Sequence, residues 1–327
     1  MRVGVDVSPL VQTRAGTARH VRGLLGALRG REALELELLA FGGAGRLSSI
    51  ARDAVWYPLG LRRKAARFDV LHCPTFRAPA SALAPVVVTV HDLAVVRWPD
   101  AFPRWHGLYG RAGLRRVLRG ADAVVTVSEF TKAEVAELGG VPAERIRVVP
   151  NGVDPVFRPL GAEPDDAVSR GTYVLAVGTL EPRKNLGRAV EAARIAGIEL
   201  RVVGARGWGE VDVPGWVGEV PDSELAGLYR GAACVLYVSL YEGFGLPVVE
   251  AMASGSPVVT SKGTAMEEIA GGAAVLVDSL DPASIANGID EARARRGELV
   301  AAGLARAAEF TWSRSADAVE SLWRELA

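Results

Sequence analysis

Cys234-Val235-Leu236-Tyr237-Val238 is an apolar run, and three residues later comes Glu242-Gly243-Phe244-Gly245-Leu246-Pro247-Val248-Val249-Glu250-Ala251-Met252-Ala253-Ser254-Gly255-Ser256-Pro257-Val258-Val259. The pattern predicts a strand, a glycine loop, a helix over Leu246–Ser254 and a second strand over Pro257–Thr260. Gly243 and Gly245 admit conformations and close backbone approaches denied to other residues. Pro247 suits the first turn of a helix, where its missing N–H costs nothing. The unpaired N–H groups of such a helix start favour a phosphate. Both apolar runs are too continuous for a half-exposed strand, which predicts parallel strands covered on both faces.

The same rhythm extends outward. The second half has further strand candidates at Tyr173–Val177, Glu199–Val203 and Ala274–Val277, and helices at Asn185–Ala196, Asp222–Arg230 and Pro282–Arg295. The first half has strand candidates at Arg2–Val7, Leu34–Ala40, Val70–His72, Pro85–Val90, Ala123–Val127 and Arg147–Val149, with helices at Gly16–Leu28, Pro103–Arg119 and Ser128–Leu138. Alternating strands and helices predict two doubly wound, Rossmann-like α/β domains with ligands at the carboxyl ends of the strands. The proline- and glycine-punctuated stretch from Val149 to Gly161 predicts the boundary. The domains are then residues 1–155 and 156–310, with 311–327 a final helix opening at Phe310-Thr311-Trp312-Ser313.

The 327 residues carry no net charge, yet residues 1–150 hold 22 Lys and Arg against 13 Asp and Glu, and residues 151–327 hold 16 against 25. A basic half beside an acidic half points to anionic partners or to attraction between the domains. No apolar run approaches the roughly 20 residues of a bilayer span. The amino terminus starts directly as a strand, which predicts a cytoplasmic protein. Cys73 and Cys234 are too few and too distant for a disulfide framework, and the four histidines lack ligand spacing. The segment Arg104–Arg119, five arginines mixed with Trp105, Leu108, Tyr109 and Leu114, is the element that would touch anionic lipid on the inner membrane face. A core-packed helix with a solvated basic face is its simpler reading. Neither half carries G-x-G-x-x-G after a first strand or a Walker lysine, which argues against a dinucleotide oxidoreductase and a P-loop nucleotidase.

Two constellations carry chemistry in the second half. Glu242 in the glycine loop and Glu250 on the helix can border one cavity, and carboxylates accept from paired sugar hydroxyls without donating. In isolation they would read as a capping glutamate and a solvated one. Val177-Gly178-Thr179-Leu180-Glu181-Pro182-Arg183-Lys184-Asn185 ends a strand and begins a helix, which places two cations where a diphosphate would sit. In the first half, Thr89-Val90-His91-Asp92-Leu93 puts a histidine at a strand end, and Arg14-Ala15-Gly16-Thr17-Ala18-Arg19 lies between the first strand and its helix. Asp92 reads as a turn cap, and Asn151-Gly152 as a hinge turn rather than a site.

The two-glutamate segment and the Gly-x-Leu-x-x-Arg-Lys-Asn segment resemble glycosyltransferase family 4, retaining enzymes of the GT-B fold, whose two Rossmann-like domains face a central cleft. The resemblance spans residues 3 to 323. It implies an acceptor-binding first domain, a donor-binding second domain and a last helix crossing back to the first. It places the donor sugar at Glu242, the ribose at Glu250, the transferred sugar and diphosphate at the backbone of Phe244, Gly245 and Leu246, and the diphosphate at Gly178, Arg183 and Lys184. His91 would lie near the donor sugar and acceptor. Gly16 would be a backbone contact, although Ala15 stands where many members have a second glycine. The resemblance implies no divalent metal and no separate cofactor, only a nucleotide-sugar donor. GDP-mannose is favoured by the bacterial mannosyltransferase-like pattern around His91, with a UDP-sugar next. The acceptor would be a glycan, a lipid-linked saccharide or a small molecule, and no nucleic acid is expected. A nonhydrolysing sugar-nucleotide epimerase and a non-catalytic sugar-nucleotide-binding protein are the alternatives.

Overall fold

The computed structural model describes residues 1–12, 16–43, 45–98, 113–159, 171–207 and 213–327. Arg14, Ala15, Trp105, Leu108 and Tyr109 lie outside them, as does the start of the expected Pro103–Arg119 helix. The chain forms two units, residues 1–152 with 311–327, and residues 153–310. The crossing between Gly152 and Val153 falls three residues before the boundary expected from sequence.

In the first unit, β1 (Arg2–Asp6), β2 (Glu35–Leu39), β3 (Val70–Cys73), β4 (Val86–Val90), β5 (Ala123–Thr126) and β6 (Ile146–Val148) form one sheet in the order β2-β1-β3-β4-β5-β6. Every pairing is parallel. Each residue of β3, β4 and β5 is buried, which is why these strands read as unbroken apolar runs. On one face Val3, Val5, Val87 and Val125 pack with Leu24 of the helix Gly16–Leu28 and with Val319 and Trp323 of the last helix, Trp312–Leu326. On the other face Leu71, Val86, Val88 and Val124 pack with Trp56, Leu61 and Leu118.

In the second unit, β7 (Tyr173–Val177), β8 (Glu199–Val203), β9 (Trp216–Gly218), β10 (Val235–Tyr237), β11 (Val258–Ser261) and β12 (Val275–Val277) form a sheet in the order β12-β11-β10-β7-β8-β9, again parallel throughout. The chain leaves β7 toward β8 on one side, while β10 leads to β11 on the other. The carboxyl ends of β7 and β10 therefore flank the switch point, where doubly wound sheets take their ligands.

Several elements depart from the sequence expectation, and three are informative. Residues 46–65 are helical, with Arg52–Leu61 wound as a π-helix around Pro58. Arg296–Ala307 is a further helix, and β9 is a three-residue strand with Trp216 and Val217 exposed. The first has apolar residues on both its faces and so lacks a clean helical period. The third is too short and too exposed to display a strand pattern.

Candidate active site

The second unit builds its site from the loops after β7 and β10. Gly178 follows β7 with φ +156°, and a Cβ there would meet Lys184 Cδ at 3.1 Å. The glycine thus leaves room for the lysine stem. Pro182–Lys184 forms a single 3-10 turn, and Asn185 takes a left-handed conformation with φ 60°. Asn185 is the single non-glycine residue with positive φ among the described residues, a strain that asparagine tolerates better than most. Its Nδ2 donates to Val238 O at 3.0 Å and to Ser279 O at 2.6 Å, tying the turn to the end of β10 and the loop after β12. Leu240 N donates to Arg183 O at 2.9 Å, which joins the two loops directly.

This backbone frame closes two cations on one carboxylate. Lys184 Nζ lies 2.5 Å from Glu242 Oε1 and donates to Tyr237 Oη at 2.9 Å. Arg183 Nη1 lies 2.7 Å from Glu242 Oε2 and donates to Tyr241 O at 2.8 Å, while its Nη2 meets Glu181 Oε1 at 2.7 Å. Burial opposes ionisation of Glu242, but the charges and hydrogen bonds of Lys184 and Arg183 outweigh it and hold its pKa at about 2. Burial likewise disfavours the charge on Lys184, and Glu242 reverses this, raising its pKa above the ordinary lysine value. All three groups are charged at neutral pH. The helix begins at Leu186, not Asn185, so Arg183 and Lys184 stand in the turn before it and are held by Glu242. Both cations are half-buried and lose stability if left unpaired.

After Glu242, Phe244 is buried edge-on to Phe310 with ring centroids 5.7 Å apart. Gly245 caps the next helix at φ +98°, and a Cβ there would come within 3.0 Å of Met266 Cγ. The helix Leu246–Ala253 then starts with Pro247 in its first turn. Glu250 is buried on this helix and accepts from Tyr229 Oη at 3.0 Å, so its carboxylate faces a tyrosine rather than solvent.

The first unit gathers three histidines. His91 follows β4, and its Nε2 lies 3.0 Å from Pro74 O. A carbonyl only accepts, so Nε2 carries the proton and Nδ1 of the neutral ring is an acceptor. His20 stands edge-on to His91 with centroids 4.7 Å apart, and its Nδ1 donates to Asn151 Oδ1 at 2.7 Å. His72 Nε2 lies 3.0 Å from Thr89 Oγ1, with its ring edge-on to Trp323 at 5.5 Å. Burial lowers the pKa of all three: His20 well below its ordinary value, His72 to about 3, and His91 despite the opposing influence of Pro74 O and Asp92. The cluster is neutral at pH 7.

Comparison with known proteins bears on this geometry. Residues 14–157 match the model of Glycosyltransferase Family 4, and residues 165–302 that of Glycosyl transferases group 1. O-antigen chain mannosyltransferase B of Escherichia coli is 30% identical over an alignment 336 positions long, gaps included, covering 94% of this chain and 84% of that relative. The chain belongs to glycosyltransferase family 4. A D-inositol 3-phosphate glycosyltransferase of Acidothermus cellulolyticus is 28% identical, covering 90% of this chain and 73% of that protein. Among solved structures, the sucrose-phosphate synthase of Thermosynechococcus elongatus superposes with TM-score 0.78 at 20% identity, covering 100% of this chain and 99% of that one. Anabaena Alr3699/HepE in complex with UDP and glucose gives 0.75 at 18% identity, with both chains fully covered. The fold of this family 4 glycosyltransferase is GT-B.

Within the glycosyltransferase, the structure brings Gly178, Arg183, Lys184 and Glu242 into one cluster, with Phe244, Gly245 and Leu246 immediately after it and Glu250 one turn further. His91 belongs to the other unit. Gly16 is the exposed first residue of its helix. Asp92 Oδ1 accepts from Ala94 N at 3.0 Å and acts as a turn cap. Asn151, expected in a hinge turn, stands beside the boundary between the units and has a further contact. It is buried against His20 rather than serving only a hinge turn, and its place just past the end of β6 was the available signal. A second missed feature is Asp6 at the end of β1, fully buried, with Oδ1 accepting from Ser8 Oγ at 2.6 Å and its pKa raised by burial. Among the described residues, no group of three or more His, Cys, Asp and Glu side chains is arranged to hold a metal ion.

Proposed function

We propose that the chain transfers a hexose, mannose in the first instance, from a nucleoside-diphosphate sugar to a saccharide acceptor, free or lipid-linked, with retention at the anomeric carbon. The observation that carries this reading is the Arg183–Glu242–Lys184 cluster at the switch point of the second sheet. Its two cations are fixed in place, remain protonated and stand beside a helix amino terminus. Such a setting suits a diphosphate whose negative charge grows as the glycosidic bond breaks. Glu242 and Glu250 supply acceptors for hydroxyls of the hexose and ribose. His91 offers Nδ1 as an acceptor to a sugar hydroxyl. Mannose is favoured because a relative 30% identical across 94% of this chain is a mannosyltransferase, with GDP-mannose as donor and a UDP-sugar as second choice. The cations neutralise the leaving diphosphate, so no divalent metal is needed and EDTA leaves turnover unchanged.

The test is release of GDP or UDP from each sugar conjugate with and without a mannosyl acceptor. Acceptor-dependent release identifies the transferase, whereas conversion of donor without acceptor identifies an epimerase. Lys184→Ala lowers kcat by on the order of 10²-fold or more, the scale of losing one electrostatic partner of a transition state. Unchanged turnover overturns the assignment of Lys184.

A further inference from the structure

The segment 46–67 of the first unit, helical through Ala65, presents two apolar faces. Trp56, Tyr57, Leu61 and Ala65 face the core. On the other side Leu47 is 83% exposed, Ile50 55%, Val55 52% and Leu59 48%. These four follow one another at intervals of three, five and four residues, so they line one outward stripe along helical turns whose middle section is π-wound. Single exposed apolar side chains are ordinary, but four on one short segment are not. The stripe runs into Arg62, Arg63 and Arg67, all exposed, and none forms an ion pair among the described residues. The stripe has one carboxylate, Asp53, whose Oδ1 lies 3.5 Å from Arg77 Nη1. The face is thus apolar along its length, cationic at one end and short of negative charge.

We infer that this face docks the protein on an anionic lipid bilayer surface, with Leu47, Ile50, Val55 and Leu59 entering the headgroup boundary and Arg62, Arg63 and Arg67 meeting lipid phosphates. The combination of an apolar stripe and clustered arginines is that of a helix lying in a membrane interface, where buried apolar area and attraction to anionic lipid add. A protein partner would need apolar surface matched by acidic groups, and a second copy of this face would set arginine against arginine. The inference goes beyond sugar transfer and does not depend on the donor or the acceptor.

The experiment is co-sedimentation of the full chain with vesicles of equal parts phosphatidylglycerol and phosphatidylcholine, against vesicles of phosphatidylcholine alone. Binding is expected to the anionic vesicles, and it weakens as salt shortens the screening length from about 10 Å to about 3 Å. The double variant Leu47→Ser, Leu59→Ser and the double variant Arg62→Glu, Arg63→Glu each bind about tenfold or more weakly. All of these side chains are exposed, so the circular-dichroism melting curves of both variants match that of the parent. Absence of binding to anionic vesicles, or equal binding by parent and variants, overturns the inference. So does a concentration-dependent dimer that the leucine variant abolishes, which would assign the face to a second copy.

Discussion

Glu242 carries opposite duties for its two neighbours. It satisfies Lys184 and Arg183, and it also competes with any anion those cations would receive. Replacing it with glutamine keeps the shape and removes the counter-charge, which leaves two cations in a buried setting. Breaking a buried pair in this way costs about 3–5 kcal/mol. A bound nucleoside diphosphate would supply the missing negative charge. The rise in melting temperature on adding the nucleotide is therefore expected to be larger in Glu242→Gln than in the parent, and equal rises would refute the competition. The sequence made these residues legible one at a time, through the glycine-proline frame and the Arg-Lys-Asn run. Their mutual pairing was not legible, since it depends on how the loops after two separated strands meet. The contact of Asn151 was hidden for the same reason, because its partner His20 lies 131 positions earlier in the chain.

Parallel strands and their helices were the most legible elements, because burial on both faces writes β3, β4, β5, β7 and β10 as unbroken apolar runs. The turns that place the site are less visible, and glycines set them. Gly204 has φ +154°, and a Cβ there would stand 2.1 Å from the carbonyl oxygen of Gly178. Backbone cannot yield as a side-chain tip can. Gly204→Ala is thus expected to push the loop after β7 away from β8 and to displace Lys184. Calorimetric titration with a nucleoside diphosphate checks this, with a loss of affinity of about tenfold or more expected from an ångström-scale misplacement. Unaltered affinity would show that the loop position does not matter. By contrast Gly187, on the helix Leu186–Ile195, has open space around its missing Cβ, so Gly187→Ala serves as the matched control.

The two units respond to acid through different groups. His20, His72 and His91 in the first unit have folded pKa values below the ordinary histidine value of 6.5. As pH falls below about 6.5 the unfolded chain takes up protons that the folded unit refuses, so stability is lost over that range. Asp6 works in the opposite sense, since burial raises its pKa and keeping it ionised costs stability at neutral pH. Glu242 in the second unit has a folded pKa of about 2, so its contribution is complete above about 4.5 and fades only below that. Hydrogen exchange at about pH 5 is therefore expected to show lower protection than at pH 7 in β4 and β5, with β10 and β11 keeping theirs. Equal loss in both sheets, or none in either, would contradict this division.

The last helix, Trp312–Leu326, belongs to the first unit, where Trp323 is fully buried beside Val3, Val5 and Val125. The second unit is an unbroken stretch whose two ends meet where Val153 N donates to Phe310 O at 3.0 Å. On the ribosome, the later-made unit has its whole chain in hand first. The earlier-made unit must wait, one face of its sheet unsealed, until the closing residues emerge. A released chain truncated after Phe310 should accordingly hold a finished second unit and an unfinished first one.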